Sequence, residues 1–93
     1  VVDAEGVIQY ESPAVERVLG HAPERMIGRS AFEFIHEEDG ALVSEALAGL
    51  LAAPGSHTTL RYRARHADGG WRTLEAEVRN LLDTPPVRGI VVN

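Results

Sequence analysis

The chain has no cysteine. That excludes disulfides, thiolate metal sites and a cysteine nucleophile, and it suits a reducing, cytoplasmic compartment. No apolar run approaches the ~18 residues that cross a bilayer. No signal peptide is visible either, so no direct membrane contact is expected. Positive charge is not in excess: nine Lys and Arg against fourteen Asp and Glu leave a net charge of −5. A nucleic-acid surface needs a basic patch, so nucleic acid is not expected as a partner. There is no glycine-rich phosphate loop, and Ser12, Ser30, Ser44 and Ser56 lie in no nucleophile motif, so no catalytic residues are expected.

What is present is the composition of one soluble globular domain, 93 residues with 44% hydrophobic and 25% charged. A single domain over 1–93 is expected. Val1 is not preceded by Met, and the chain stops within the apolar run 89–93, which reads as a piece of a longer protein. Residues 1–2 and 7–10 read as two short strands joined by the turn 3–6, with Gly6 able to take positive φ. Ser12 followed by Pro13 signals a helix over 12–19, with Glu16 placed to close a capping box and Gly20 to stop it. Pro23 opens a single turn ended by Gly28, and Ser30 caps another carrying Phe32, Phe34 and Ile35. Short helical pieces in a row suit a segment that wraps over a sheet.

The longest helix follows. Glu37, Glu38 and Asp39 complement its N-terminus. Leu42, Val43, Ala46, Leu47, Leu50 and Leu51 draw one apolar stripe, and Pro54-Gly55 ends it. The period then switches to two. Leu60, Tyr62 and Ala64 alternate with Arg61, Arg63 and Arg65; after the turn 68–70, Leu74, Ala76 and Val78 alternate with Thr73, Glu75, Glu77 and Arg79. Paired antiparallel, Arg61 and Arg63 lie near Glu75 and Glu77. Residues 83–86 form a proline loop and 87–92 a last strand. The fold class is α+β, an antiparallel sheet with helices on one face.

These words, in this order, resemble the PAS family of sensory domains. Run 3–10 (DAEGVIQY) resembles its opening hairpin, and 12–20 (SPAVERVLG) its first helix. Runs 23–30, 35–39 (IHEED), 63–71 (RARHADGGW) and 89–93 (GIVVN) resemble its later segments, so the likeness covers nearly the whole chain. In 35–39 the family's proline is replaced by Glu37. The resemblance implies a five-stranded antiparallel sheet in spatial order 2-1-5-4-3, with several short helices and one longer helix on one face. It implies a sensory or regulatory module of a signal-transduction protein rather than an enzyme. A histidine kinase or diguanylate cyclase, of the two-component type, is the expected parent, with a downstream effector in the same chain.

Cofactors of the family make specific demands. Photoactive flavin members use a cysteine, which is absent, and the amide pair that would grip a flavin edge is reduced to Gln9, Asn80 and the terminal Asn93. Haem members use an axial histidine on the long helix, which here carries none over 38–52. His21, His36, His57 and His66 read as surface or capping residues. The run His36, Glu37, Glu38, Asp39 reads as helix-start electrostatics, because consecutive helical residues diverge. No cofactor and no metal is therefore expected.

Inward positions from strands are Leu60, Tyr62, Leu74, Ala76 and Val78; those from helices are Met26, Phe32, Ile35, Val43, Leu47 and Leu50. They form either a filled core or a small apolar ligand pocket with the Tyr62 hydroxyl as polar handle. The small residues Ala46, Ala64 and Ala76 leave room for the second. Trp71 shares the outward face of Glu75 and Glu77, away from the helices; these three form the candidate interface, though Trp71 can instead cover neighbouring arginine stems. The two functional readings are a module that binds a ligand or relays a signal, and a ligand-free dimerisation module. A homodimer through the outer sheet face, or through helices flanking 1–93, is expected in either case.

Overall fold

The computed structural model describes residues 1–93. Helices α1 (Ala14–Leu19) and α2 (Pro23–Met26), a 3-10 turn (Ala31–Phe34) and α3 (Glu37–Leu51) precede strands β1 (His57–Arg65), β2 (Trp71–Leu81) and β3 (Gly89–Val92). The strands pair antiparallel in the order β1-β2-β3. Leu60 faces Ala76, Tyr62 faces Leu74 and Asn80 faces Ile90, so the alternation read from the sequence is the alternation of the sheet.

The two opening strands survive as single bridges. Val2 pairs with Ile8 on one side and with Ile90 of β3 on the other. Counting these segments as strands gives the order 2-1-5-4-3. Both sheet edges are then covered by one run of chain: Ser30 bridges Val7 and Ile35 bridges Ala64 of β1. Laid flat, the six inter-strand steps from Ser30 to Ile35 would span about 29 Å. Five residues fully extended reach only about 17 Å. The sheet must therefore curl strongly, and the 3-10 turn straps its two edges together.

Local chemistry holds the strap. The Ser30 hydroxyl accepts from the Phe32 amide at 3.2 Å, and the Glu33 carboxylate accepts from the Ser30 amide at 3.1 Å and from Arg29 at 2.8 Å. This is a complete capping box. The box expected between Ser12 and Glu16 does not form. Pro13 already has helical dihedrals and takes the cap position, which displaces the Ser12 hydroxyl from the free amides. Helix α1 ends at Gly20 with φ 75°, where a side chain would also meet the His66 ring at 2.9 Å.

Helix α3 starts at Glu37, with His36 Nδ1 accepting from the Glu38 amide at 3.1 Å. It stops at Leu51, before Pro54. Leu42 is 53% exposed and Leu51 is also exposed, so the buried stripe is narrower than the spacing predicts: Leu50 is buried and Val43, Ala46 and Leu47 are half-buried. The core gathers Val2, Ile8, Met26, Phe34, Leu50, Ala76, Val78 and Ile90. No helix is long and apolar enough to cross a membrane.

Candidate functional site

Between the curled sheet and the helices lies a cavity of about 540 Å³. β1 contributes Leu60 and Tyr62 to its wall, and β2 contributes Leu74, Ala76 and Val78. Alternation puts these side chains on the concave face. Met26, Phe32, Ile35, Val43, Leu47 and Leu50 close the other side from α2, the strap and α3. The structure thus brings every residue of the expected pocket to one cavity.

Other wall residues were not marked by the sequence. Ile8 and Ile90 come from the central bridges, and Ala14, Val15, Val18 and Leu19 come from α1. The helical spacing of the α1 set was a usable signal, because an amphipathic helix must bury its apolar side. Glu11 had no such signal: it stands between the hairpin and α1, outside any period. It lines the cavity, half-buried, and its carboxylate has no hydrogen bond and no ion pair. Burial raises its pKa, opposed by the Val1 ammonium. The Tyr62 hydroxyl is also raised, first by burial and then by the charge of Glu11.

The remaining candidates are held elsewhere. The Asn80 side chain donates to the Leu50 carbonyl at 2.8 Å and accepts from the Leu82 amide at 3.0 Å, so both its nitrogen and its oxygen are held by backbone. None of the four histidines lines the cavity. His21 bonds the Arg65 carbonyl, His36 caps α3, and His66 Nδ1 accepts from the Asp68 amide. In the run 36–39, Asp39 is taken by Arg63, whose backbone and guanidinium groups donate to it at 2.8–3.0 Å. That bidentate contact lowers the Asp39 pKa to about 2.

The outer sheet face departs from expectation in two ways. Arg61 does face Glu75, but no ion pair joins them; Glu77 pairs instead with Arg79 on its own strand, and Arg63 turns to Asp39. Exposed cross-strand pairs gain little, and a shorter local partner wins. Trp71 lies on the outer face, but not away from every helix residue. The His36 amide bonds the Arg63 carbonyl at the free edge of β1, and the His36 ring reaches over to Trp71, centroid to centroid 4.5 Å. The Arg65 guanidinium covers the indole at 4.6 Å, leaving Trp71 38% exposed.

A family model described as PAS fold matches residues 8–91. The White collar 2 protein of Neurospora crassa is 35% identical over 75 residues, which are 81% of this chain and 14% of that protein. Protein cycle of Drosophila melanogaster is 31% identical over 75 residues, 81% of this chain and 18% of that protein. The chain therefore spans less than a fifth of the length of these curated relatives. Among solved structures, the Drosophila melanogaster Cycle PAS-B domain with bound ethylene glycol superposes with TM-score 0.79 at 26% identity, covering 98% of this chain and 87% of that one. The PAS domain of an HTR-like protein from Haloarcula marismortui gives TM-score 0.65 at 26% identity, covering 84% of this chain and 61% of that one. None of these names is that of an enzyme. None is that of a histidine kinase or a diguanylate cyclase, so the expectation of such a parent gains no support from them.

Proposed function

The chain belongs to the PAS fold family, and on that premise we propose that it is a sensing module whose cavity takes a small, mostly apolar ligand. The observation that carries this reading is the cavity itself. Its volume of about 540 Å³ lies within the ~300–1,000 Å³ usual for ligand sites. Its wall is apolar apart from a few groups, as such sites require. The Cycle PAS-B structure with bound ethylene glycol supports the reading, since a domain of closely similar fold holds a small molecule. Neither haem nor flavin is proposed: no histidine faces the cavity, and the Asn80 amide is committed to the backbone.

Signalling would follow from packing. α3 and the sheet share the cavity wall, so a ligand that fills it favours one spacing between them over another. β3 is bonded to both β2 and Val2 at the centre of the sheet, and it is the element through which such a change would leave the domain. The test is native mass spectrometry of the purified domain, with a denatured control. A reproducible added mass, released on denaturation, is the expected result. A clean apo mass, joined by no thermal shift across a panel of small apolar compounds, would overturn the reading.

A second reading has its own observation. On the outer face, Arg61 and Arg65 of β1 bond no carboxylate, while Glu75 of β2 bonds no cation. A two-fold axis would set the basic strand of one copy on the acidic strand of another, with Trp71 at the contact. Sedimentation equilibrium of the wild type and Trp71→Ala tests it. A weakened dimer is expected, and an unchanged association constant would remove the outer face from consideration.

A further inference from the structure

The cavity wall is strongly biased in charge. The polar residues that line it are Glu11, Ser12, Tyr62, Glu75 and Asn93, and no Lys, Arg or His is among them. Glu75 borders the cavity from β2, but its side chain alternates to the outer face opposite Arg61, so Glu11 is the acid of the inner wall. The Val1 ammonium is the one cation nearby, and it donates to the Tyr10 carbonyl at 2.9 Å. Glu11 is the group left over: half-buried, at the wall, with neither a hydrogen bond nor a salt-bridge partner.

An ionised carboxylate withdrawn from water without donors around it is costly. A ligand that brings a donor, and above all a positive charge, relieves that cost on entering. A ligand that brings a second negative charge adds repulsion beside Glu11, and no basic side chain on the wall offsets it. The neighbouring Tyr62 hydroxyl, half-buried on the same wall, adds a second hydrogen-bonding group for the head of such a ligand.

Resting on the ligand-binding reading above, we propose that this cavity selects amphiphiles by head-group charge: an apolar body fills the space between α3 and the sheet, and an amine head is held by Glu11 and Tyr62. A hydroxyl head is accepted less well, and a carboxylate head is rejected. The selectivity is a property of this chain's own wall and follows from its lack of any basic side chain.

Three probes of equal length separate the cases: octylamine, octanol and octanoate, each titrated calorimetrically into the domain at neutral pH. Octylamine is expected to bind at least ~10-fold more tightly than octanoate, a difference of about 1.4 kcal/mol, with octanol between them. Glu11→Gln is expected to bring the amine and the carboxylate to within about threefold while changing octanol far less, since a neutral hydroxyl loses only a hydrogen bond to the carboxylate and keeps its apolar body. Octanoate binding as tightly as octylamine, or a ratio unmoved by Glu11→Gln, would overturn the proposal while octanol binding kept the pocket. Failure of all three probes to bind would bring down the ligand reading, and this selectivity with it.

Discussion

Asn80 shows what one buried polar group does in so small a domain. It is 2% exposed, on the inward face of β2, in line with Ala76 and Val78. Its side chain joins the last turn of α3 to the sheet by donating to the Leu50 carbonyl, and it accepts from Leu82 to shape the end of its own strand. Asn80→Ala leaves the Leu82 amide without its acceptor and should cost about 1–3 kcal/mol, read as a lower urea midpoint with little change in slope. A midpoint equal to wild type would mean that water replaces the side chain there. Gly89 is the second residue with a sharp role. A side chain at this position would stand 2.5 Å from Val1 Cγ1 and 3.3 Å from the Val2 carbonyl. Gly89→Val should therefore force the 1–2 segment off β3. The check is amide exchange: protection of Val2 and Ile90 should fall while that of β1 and β2 persists.

Among elements, the tie between α3 and β1 is electrostatic. Asp39 in the first turn of α3 accepts from the Arg63 amide and from the Nε and Nη2 edge of its guanidinium, so one carboxylate fixes the helix start against the strand. Hydrogen bonding to Arg63 is the main cause that lowers the Asp39 pKa from 3.8 to about 2. A depressed pKa means that the folded state holds the proton less well than the unfolded chain. The contribution is therefore complete above the ordinary value of 3.8 and is lost as the pH falls through about 2. Between those values, stability of the wild type should fall more steeply with acid than that of Asp39→Asn. Glu33 and Asp68 are lowered by similar contacts, with Arg29 for the first and the Gly70 amide and Arg72 for the second, so a smaller slope should persist in the variant. Equal slopes in acid titration of unfolding would show that this pair carries no such linkage. The same elements show where sequence reading succeeds. Alternation along β1 and β2 located the inward side chains, because period two leaves a half-buried strand no choice of face. The short helical runs between glycines announced a wrapping segment. Neither signal revealed that the opening hairpin shrinks to single bridges, because that depends on how far the strap curls the sheet. Nor could a period mark Glu11, which lies in no element, or the turn of Arg63 towards Asp39, which competes with Glu75 and Glu77 across space.

For the whole molecule, curl and cavity are one fact. The strap draws the sheet edges together, and the space inside the curve is larger than the side chains fill. Only 13 of 93 residues are buried, and Leu47, Leu60, Tyr62 and Leu74 are only partly so, which leaves folding with few of its strongest apolar contacts. A ligand in the cavity would complete the core as well as occupy a site. Anything that binds only the folded state stabilises it by mass action, about 2.7 kcal/mol at a hundred times its Kd. In a domain of this size each kcal/mol moves Tm by about 4–8 °C, so a saturating ligand should raise Tm by roughly 10–20 °C. Ala76 tests the cause. It is buried in the middle of the cavity wall and carries the smallest side chain of the β2 set. Ala76→Leu would grow into the empty space, where overpacking does not arise as it does in a filled core. Its free form should melt at or above the wild-type temperature, and the shift produced by octylamine should shrink to a small fraction. A variant that melts lower and still shows the full shift would place the ligand somewhere other than this cavity.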